Sequence, residues 1–130
     1  MDKVKTYDRP ADICSRTFEF AVRIMNLSSY LLGKPGVSRT LANQLLKAGT
    51  SIGANIEEAQ GGQSRADFIS KNAIALKEAR ETHYWLRLLV ASKVVPESRV
   101  SELRDEAEQL MRIIGSIVVS ARRSKVKSKK

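Results

Sequence analysis

The chain is poor in the residues on which several kinds of protein depend. Its 130 positions hold one cysteine, Cys14, and one histidine, His83. A lone cysteine excludes an internal disulfide framework and any multi-thiolate metal site, and it fits a reducing cytoplasm. Seven glycines and three prolines are too few for the turn-rich course of an all-β chain. Aromatic residues make up 5%, so the core must be mostly aliphatic. No window approaches the roughly 18 apolar residues that a membrane span requires. The most apolar stretch, IIGSIVVSA at 113–121, is short and carries two serines. The start, MDKVKTYDRPAD, is polar and lacks the apolar centre of a secretory leader.

What is present suits one helical domain. Hydrophobic residues reach 42%, enough for a single core in a chain of this length. The net charge of +9 is unevenly spread, because Arg122, Arg123, Lys125, Lys127, Lys129 and Lys130 crowd the end without an acidic residue among them. The rest of the chain is nearly balanced. Such an end attracts nucleic acid or an acidic surface, or simply keeps a disordered tail solvated.

Helical periodicity recurs four times. Residues 15–32 carry two apolar stripes, Phe18–Ala21–Met25–Leu32 and Phe20–Ile24–Leu27–Leu31, before Gly33, Pro35 and Gly36 stop the helix. Residues 39–59 repeat Leu41, Leu45, Ala48, Ile52, Ile56 and Ala59. On one side of that helix Gly49 and Gly53, four apart, allow a neighbouring backbone to come close. Asn55, beside the stripe, is expected to fix helix register through buried hydrogen bonds. Residues 65–92 align Phe68, Asn72, Ala75, Ala79, Thr82, Leu86 and Leu89. The last segment alternates by threes and fours through Val100, Leu103, Ala107, Leu110, Ile114, Ile117 and Ala121.

Short connections between four amphipathic segments predict an antiparallel, up-down-up-down four-helix bundle over 15–121. A polar segment, 1–14, precedes it, and a disordered basic tail, 122–130, follows. Phe20, Ile24, Leu27, Trp85, Leu88 and Val118 exceed what one such core would hold, which predicts an oligomer that shares them.

The glycine- and serine-rich stretch GTSIGANIEEAQGGQSRADF, 49–68, poses the question of phosphate binding. A Walker loop ends in Gly-Lys-Ser/Thr after a strand, and a dinucleotide fingerprint reads G-x-G-x-x-G. Neither order occurs. Gly61-Gly62 ends one helix, and Ser64-Arg65-Ala66-Asp67 has the spacing of a capping box for the next, with Asp67 in place of the usual Glu or Gln.

Catalytic constellations are equally sparse. A di-metal bundle needs Glu-x-x-His on two helices, and this chain has no Glu-x-x-His. His83 near Glu57, Glu78 or Glu81 falls short of the three protein ligands of a catalytic metal. Cys14 has no plausible base, and the serines have no Ser-His-Asp set. No enzyme activity, cofactor or small-molecule substrate is expected. Glu57, Glu58, Glu78 and Glu81 suit ion pairs with adjacent helices. Arg80 and Arg87, seven apart on the third helix, pair in spacing with Arg16 and Arg23 on the first. If those faces met, they would form a positive surface for phosphate contact.

The stretch ANQLLKAGTSIGANIEEAQGGQSRADFISKNAIALKEARETHYWLRLL, 42–89, resembles the signature of the bacterial 23S rRNA intervening-sequence proteins. Gln44-Leu45, Ser51-Ile52, Ala54-Asn55-Ile56 with Glu58, Phe68, and Ala75…Ala79…Glu81 before Trp85-Leu86 carry the resemblance. Many members read Asn-Ile-Ala-Glu-Gly where this chain has Asn55-Ile56-Glu57-Glu58-Ala59. The resemblance implies antiparallel four-helix bundles assembled as ring-like homopentamers, some encoded within inserts of large ribosomal RNA genes. More distantly, the chain is similar to the accessory variability proteins of diversity-generating retroelements. In those, basic residues on the third helix bind nucleic acid and a reverse transcriptase; His83 and Arg87 stand at the corresponding places.

The reading that unites these features is a non-enzymatic, cytoplasmic homo-oligomer, a pentamer by resemblance, that binds RNA or a ribonucleoprotein. Arg80, Arg87, Arg122, Arg123, Lys125, Lys127, Lys129 and Lys130 are its candidate phosphate contacts. The alternative is a protein-protein adaptor that touches no nucleic acid.

Overall fold

The computed structural model describes residues 10–35 and 39–128 of the chain. Four helices account for nearly all of it: α1 (Pro10–Leu32), α2 (Arg39–Gln60), α3 (Arg65–Ser92) and α4 (Glu97–Ser128). No strand occurs among the described residues. Each helix packs along the next in sequence, and α1 returns more loosely to α4, while the diagonal pairs stay apart. The result is an all-α four-helix bundle around one aliphatic core.

The turns follow local chemistry. Gly61 N–H and Gly62 N–H donate to the Glu58 and Ala59 carbonyls, at 3.2 Å each, and so close α2. Ser64, with extended backbone, accepts from the Asp67 N–H at 3.0 Å and caps α3. Only this half of the capping box forms. α3 ends on Lys93 in the left-handed conformation (φ 59°), whose N–H donates to the Val90 carbonyl.

The two stripes of α1 have opposite fates. Phe20, Ile24, Leu27 and Leu31 are buried, whereas Phe18, Met25 and Leu32 face solvent, joined by Val22, with Ala21 half-buried. The α2 glycines explain this choice. A Cβ on Gly49 would lie 2.7 Å from Cγ2 of Ile24, and one on Gly53 would lie 3.2 Å from the carbonyl oxygen of Thr17. Ile24 and Thr17 thus fill the notch that the missing side chains leave, which rotates Phe20 inward and Phe18 outward. Thr17 tolerates burial because its hydroxyl donates to the Ile13 carbonyl at 2.8 Å.

Several expectations need correction here. Phe20, Ile24, Leu27 and Val118 do not overflow the core, since all four are buried within the single chain. On α4 the core runs Val100, Leu103, Ala107, Leu110, Ile114, Val118 and Ala121, with Ile117 half-buried. A straight helix drifts off a strict seven-residue repeat, and the step from Ile114 to Val118 absorbs that drift. Asn55 is only half-buried and donates to the Ser51 carbonyl of its own helix at 2.9 Å, and among the described residues it ties no neighbouring helix.

The boundaries also move. α1 begins at Pro10, taking in Cys14, with proline in the first turn where its missing N–H costs nothing. Residues 1–9 lie outside the described chain. α4 continues through Ser128, so most of the segment expected to be disordered is helical. Lysine and arginine are good helix formers and complement the negative end of the helix dipole. Lys129 and Lys130, and the side chains of Lys125 and Lys127, lie outside the described residues.

Candidate nucleic-acid interface

The candidate phosphate contacts fall into two separate groups. Arg80 and Arg87 are exposed on α3, on either side of His83. The charges nearest His83 are Arg87 on its own helix and Arg104, Asp105 and Glu108 on α4, so this edge of α3 borders α4. Burial first, then the Arg87 guanidinium, holds the His83 pKa below its ordinary 6.5, and Glu108 works against them. Neither Arg80 nor Arg87 has a carboxylate within ion-pair distance among the described residues, and Arg87 stands 5.6 Å over the Tyr84 ring. Asp105 and Glu108 nevertheless dilute the positive field there.

Arg122 and Arg123 form the second group, exposed on α4 just beyond Ala121, which is buried. At 32 residues α4 is about 48 Å long, whereas the 22 of α2 span about 33 Å. Beyond Ala121 the described side chains, Arg122 to Ser124, are exposed. Glu108 lies level with the middle of α3, and Arg122 is some 14 residues further along, roughly 20 Å from the Arg80 pair. The fold does not gather the two groups into one patch.

Arg16 and Arg23 do not join either group. They point into the seam between α1 and α4, a groove of about 530 Å³ lined by Arg16, Glu19, Phe20, Arg23, Glu106 and Gln109. Arg16 donates to both carboxylate oxygens of Glu106, at 2.7 and 3.0 Å, and to Gln109 at 3.1 Å. Arg23 reaches Glu102 at 3.4 Å, with Glu102 almost fully exposed. These residues latch the looser seam. Sequence reasoning missed the latch, although Glu102, Glu106 and Gln109 share one helical face at the period of Arg16 and Arg23.

The acidic residues singled out on α2 and α3 play modest roles. Glu58 pairs with Lys71 at 3.1 Å on the surface, and Glu81 accepts from the Trp85 indole N–H at 3.2 Å. No group of three or more His, Cys, Asp or Glu side chains suited to a metal occurs among the described residues. Cys14 is half-buried, and burial, helped by the Glu57 carboxylate, pushes its thiol pKa up, away from nucleophilic thiolate. Of the six residues expected at an oligomer interface, only Leu88 is exposed, at 40%, and Trp85 is half-buried. No helix among the described residues is long and apolar enough to cross a membrane.

Comparison with known proteins bears on the family and the fold. The family model described as 23S rRNA-intervening sequence protein matches residues 9–116. No curated protein is matched. Among solved structures, a protein of unknown function from the S23 ribosomal protein family of Bacteroides thetaiotaomicron is 42% identical, with a TM-score of 0.77. The alignment covers 82% of this chain and 97% of that one.

Proposed function

The chain belongs to the 23S rRNA-intervening sequence protein family, and from that premise we propose that it is a non-enzymatic homo-oligomer that binds RNA or a ribonucleoprotein through its basic C-terminal helix. The observation that supports this reading best is the continuation of α4 past Ala121 to Ser128, with Arg122 and Arg123 exposed on it. A helix dipole stabilises cations in the final turn but does not neutralise them. Their charge stays available to phosphates, and a helical projection loses less entropy on binding than a disordered arm.

Arg80 and Arg87 supply a second, weaker contact, diluted by Asp105 and Glu108. The resemblance to retroelement accessory proteins would assign nucleic-acid contact to this same face, where His83 and Arg87 lie. Assembly multiplies the basic ends, so contacts that are weak singly combine, as is usual for linked sites. A homopentamer in the cytoplasm, as the family resemblance implies, would present five.

The test is a titration of structured RNA with the full chain and with a chain ending at Ala121. Affinity should fall about a hundredfold or more between roughly 50 and 200 mM salt. The shortened chain should bind at least about tenfold more weakly at low salt, with a shallower salt slope. Binding that ignores salt, or that survives the shortening unchanged, would remove the C-terminal helix from the reading. No binding at low salt would favour the adaptor, a reading supported by the apolar stripe that α1 turns to solvent.

A further inference from the structure

The two arginines of the α1–α4 seam are not equally committed. Arg16 holds Glu106 at 2.7 Å with both side chains largely shielded, whereas Arg23 reaches Glu102 at 3.4 Å and the Glu102 side chain is 88% exposed. A pair that open is weak. Beside it, near the start of α4, a cavity of about 210 Å³ lies between the two helices. Arg23 and Asn26 of α1 line it with Ser98, Arg99 and Glu102 of α4, over the buried Leu27 and Leu103. We infer that this cavity is a binding site for a phosphate monoester, held between Arg23 and Arg99.

Arg99 is held ready by an aromatic ring. Its guanidinium stands 4.0 Å over Tyr30 and has no carboxylate within ion-pair distance among the described residues. Stacking occupies the face of the guanidinium and leaves its N–H edge free to donate. The Asn26 amide and the Ser98 hydroxyl likewise bond to no described residue. Lys34 adds a third cation, 5.2 Å from the same ring. Glu102 is the one carboxylate that lines the cavity among the described residues. Glu97 is turned to Arg104 at 4.0 Å, and Glu19 and Glu106 belong to the neighbouring groove with Arg16.

Two forked donors on two helices suit a tetrahedral anion, which offers oxygens in several directions; a planar carboxylate is satisfied by one fork. A phosphate monoester also carries nearly two negative charges at neutral pH, which favours it over the single charge of Glu102 as the partner of Arg23. The apolar floor keeps water from one side and strengthens both contacts. The site stands apart from the basic end of the chain, since Arg99 lies about 35 Å along α4 from Arg122. It therefore does not rest on the RNA-binding reading.

NMR of the nitrogen-15-labelled full chain, observing the arginine Nε–H signals at constant ionic strength, tests this. The titrants are inorganic phosphate, a 5′-phosphorylated trinucleotide, and the same trinucleotide with a 5′-hydroxyl. The first two should move the Arg23 and Arg99 signals saturably, and the third should not. A phosphorylated trinucleotide that binds at least about tenfold more tightly than phosphate makes an RNA end the source; equal or weaker affinity makes it a free phosphate. Arg23→Lys and Arg99→Lys keep the charge but lose the fork, and each should weaken phosphate about tenfold. Glu102→Gln should tighten it about fivefold, and Lys71→Ala, which removes a cation elsewhere, should leave it unchanged. The inference falls if neither phosphate ligand saturates the two signals, or if acetate or the 5′-hydroxyl trinucleotide moves them as far. It falls equally if the lysine variants and Glu102→Gln all bind phosphate like the unmodified chain.

Discussion

Phe18 and Phe20 sit two residues apart on one helix, equally apolar, yet one is 61% exposed and the other 1%. The same contrast separates Met25 from Ile24 and Leu32 from Leu31. Hydrophobicity alone therefore did not choose the buried side of α1. The choice lies with α2, where Gly49 and Gly53 leave a notch that only a branched residue and a small hydroxyl, Ile24 and Thr17, occupy. A missing side chain on one helix thus sets the rotation of its neighbour, and leaves a second apolar stripe for use elsewhere.

The largest expected effect contrasts the stripes directly. Phe20→Ala should cost about 4 kcal/mol of folding stability in urea denaturation, through lost burial and the cavity left behind. Phe18→Ala should stay within about 0.5 kcal/mol for the monomer. Equal losses would mean that both stripes are buried in the folded chain. Next comes the notch. Gly49→Val should destabilise by about 2–3 kcal/mol, because its side chain meets Ile24 where even a Cβ has no room. A neutral result would show that α1 turns freely on α2.

Smaller effects belong to the other seam of α1. Arg16→Ala should cost about 1 kcal/mol, since its two-pronged bond to Glu106 is largely shielded from water. Arg23→Ala should cost within about 0.3 kcal/mol, its partner Glu102 being open to solvent. Urea midpoints of the two variants, compared at low and high salt, separate these values. If Arg23→Ala proves the worse, the seam is held nearer α4's N-terminus than its middle.

The smallest effect lies on the α3–α4 seam, away from α1. The unfolded chain takes up a proton at the ordinary histidine value of 6.5, but the folded chain resists it at His83 because of burial and Arg87. The His83 contribution is thus fully present above about pH 6.5 and declines as pH falls through the lower folded-state value. His83→Gln should flatten that part of a stability-against-pH profile, and the Phe18 and Arg16 variants should leave it unchanged.

Much of this was legible beforehand because it is local. Ser64, Gly61-Gly62 and Pro96 punctuate the chain by their own backbone chemistry, so the ends of α2 and α3 and the start of α4 could be placed within a few residues. Gly49 and Gly53 announced a close approach through their spacing alone. The candidate interface was legible only as composition. That Arg16 would be spent on Glu106, 90 positions away, and that Arg80 would lie roughly 20 Å from Arg122, depends on which helices become neighbours.

The sequence by itself determined the number of helices, their approximate ends, the single aliphatic core and the excess of cations at the finish. Periodicity fixes angles between residues of one helix, and caps and breakers act within a turn or two. Only the tertiary structure decided which α1 stripe points inward, which arginines are latched to carboxylates, and that α4 continues as helix past Ala121 with Arg122 and Arg123 exposed. Those outcomes depend on the rotation and overhang of each helix relative to its neighbours. No single helix encodes them, because they arise where two surfaces first meet.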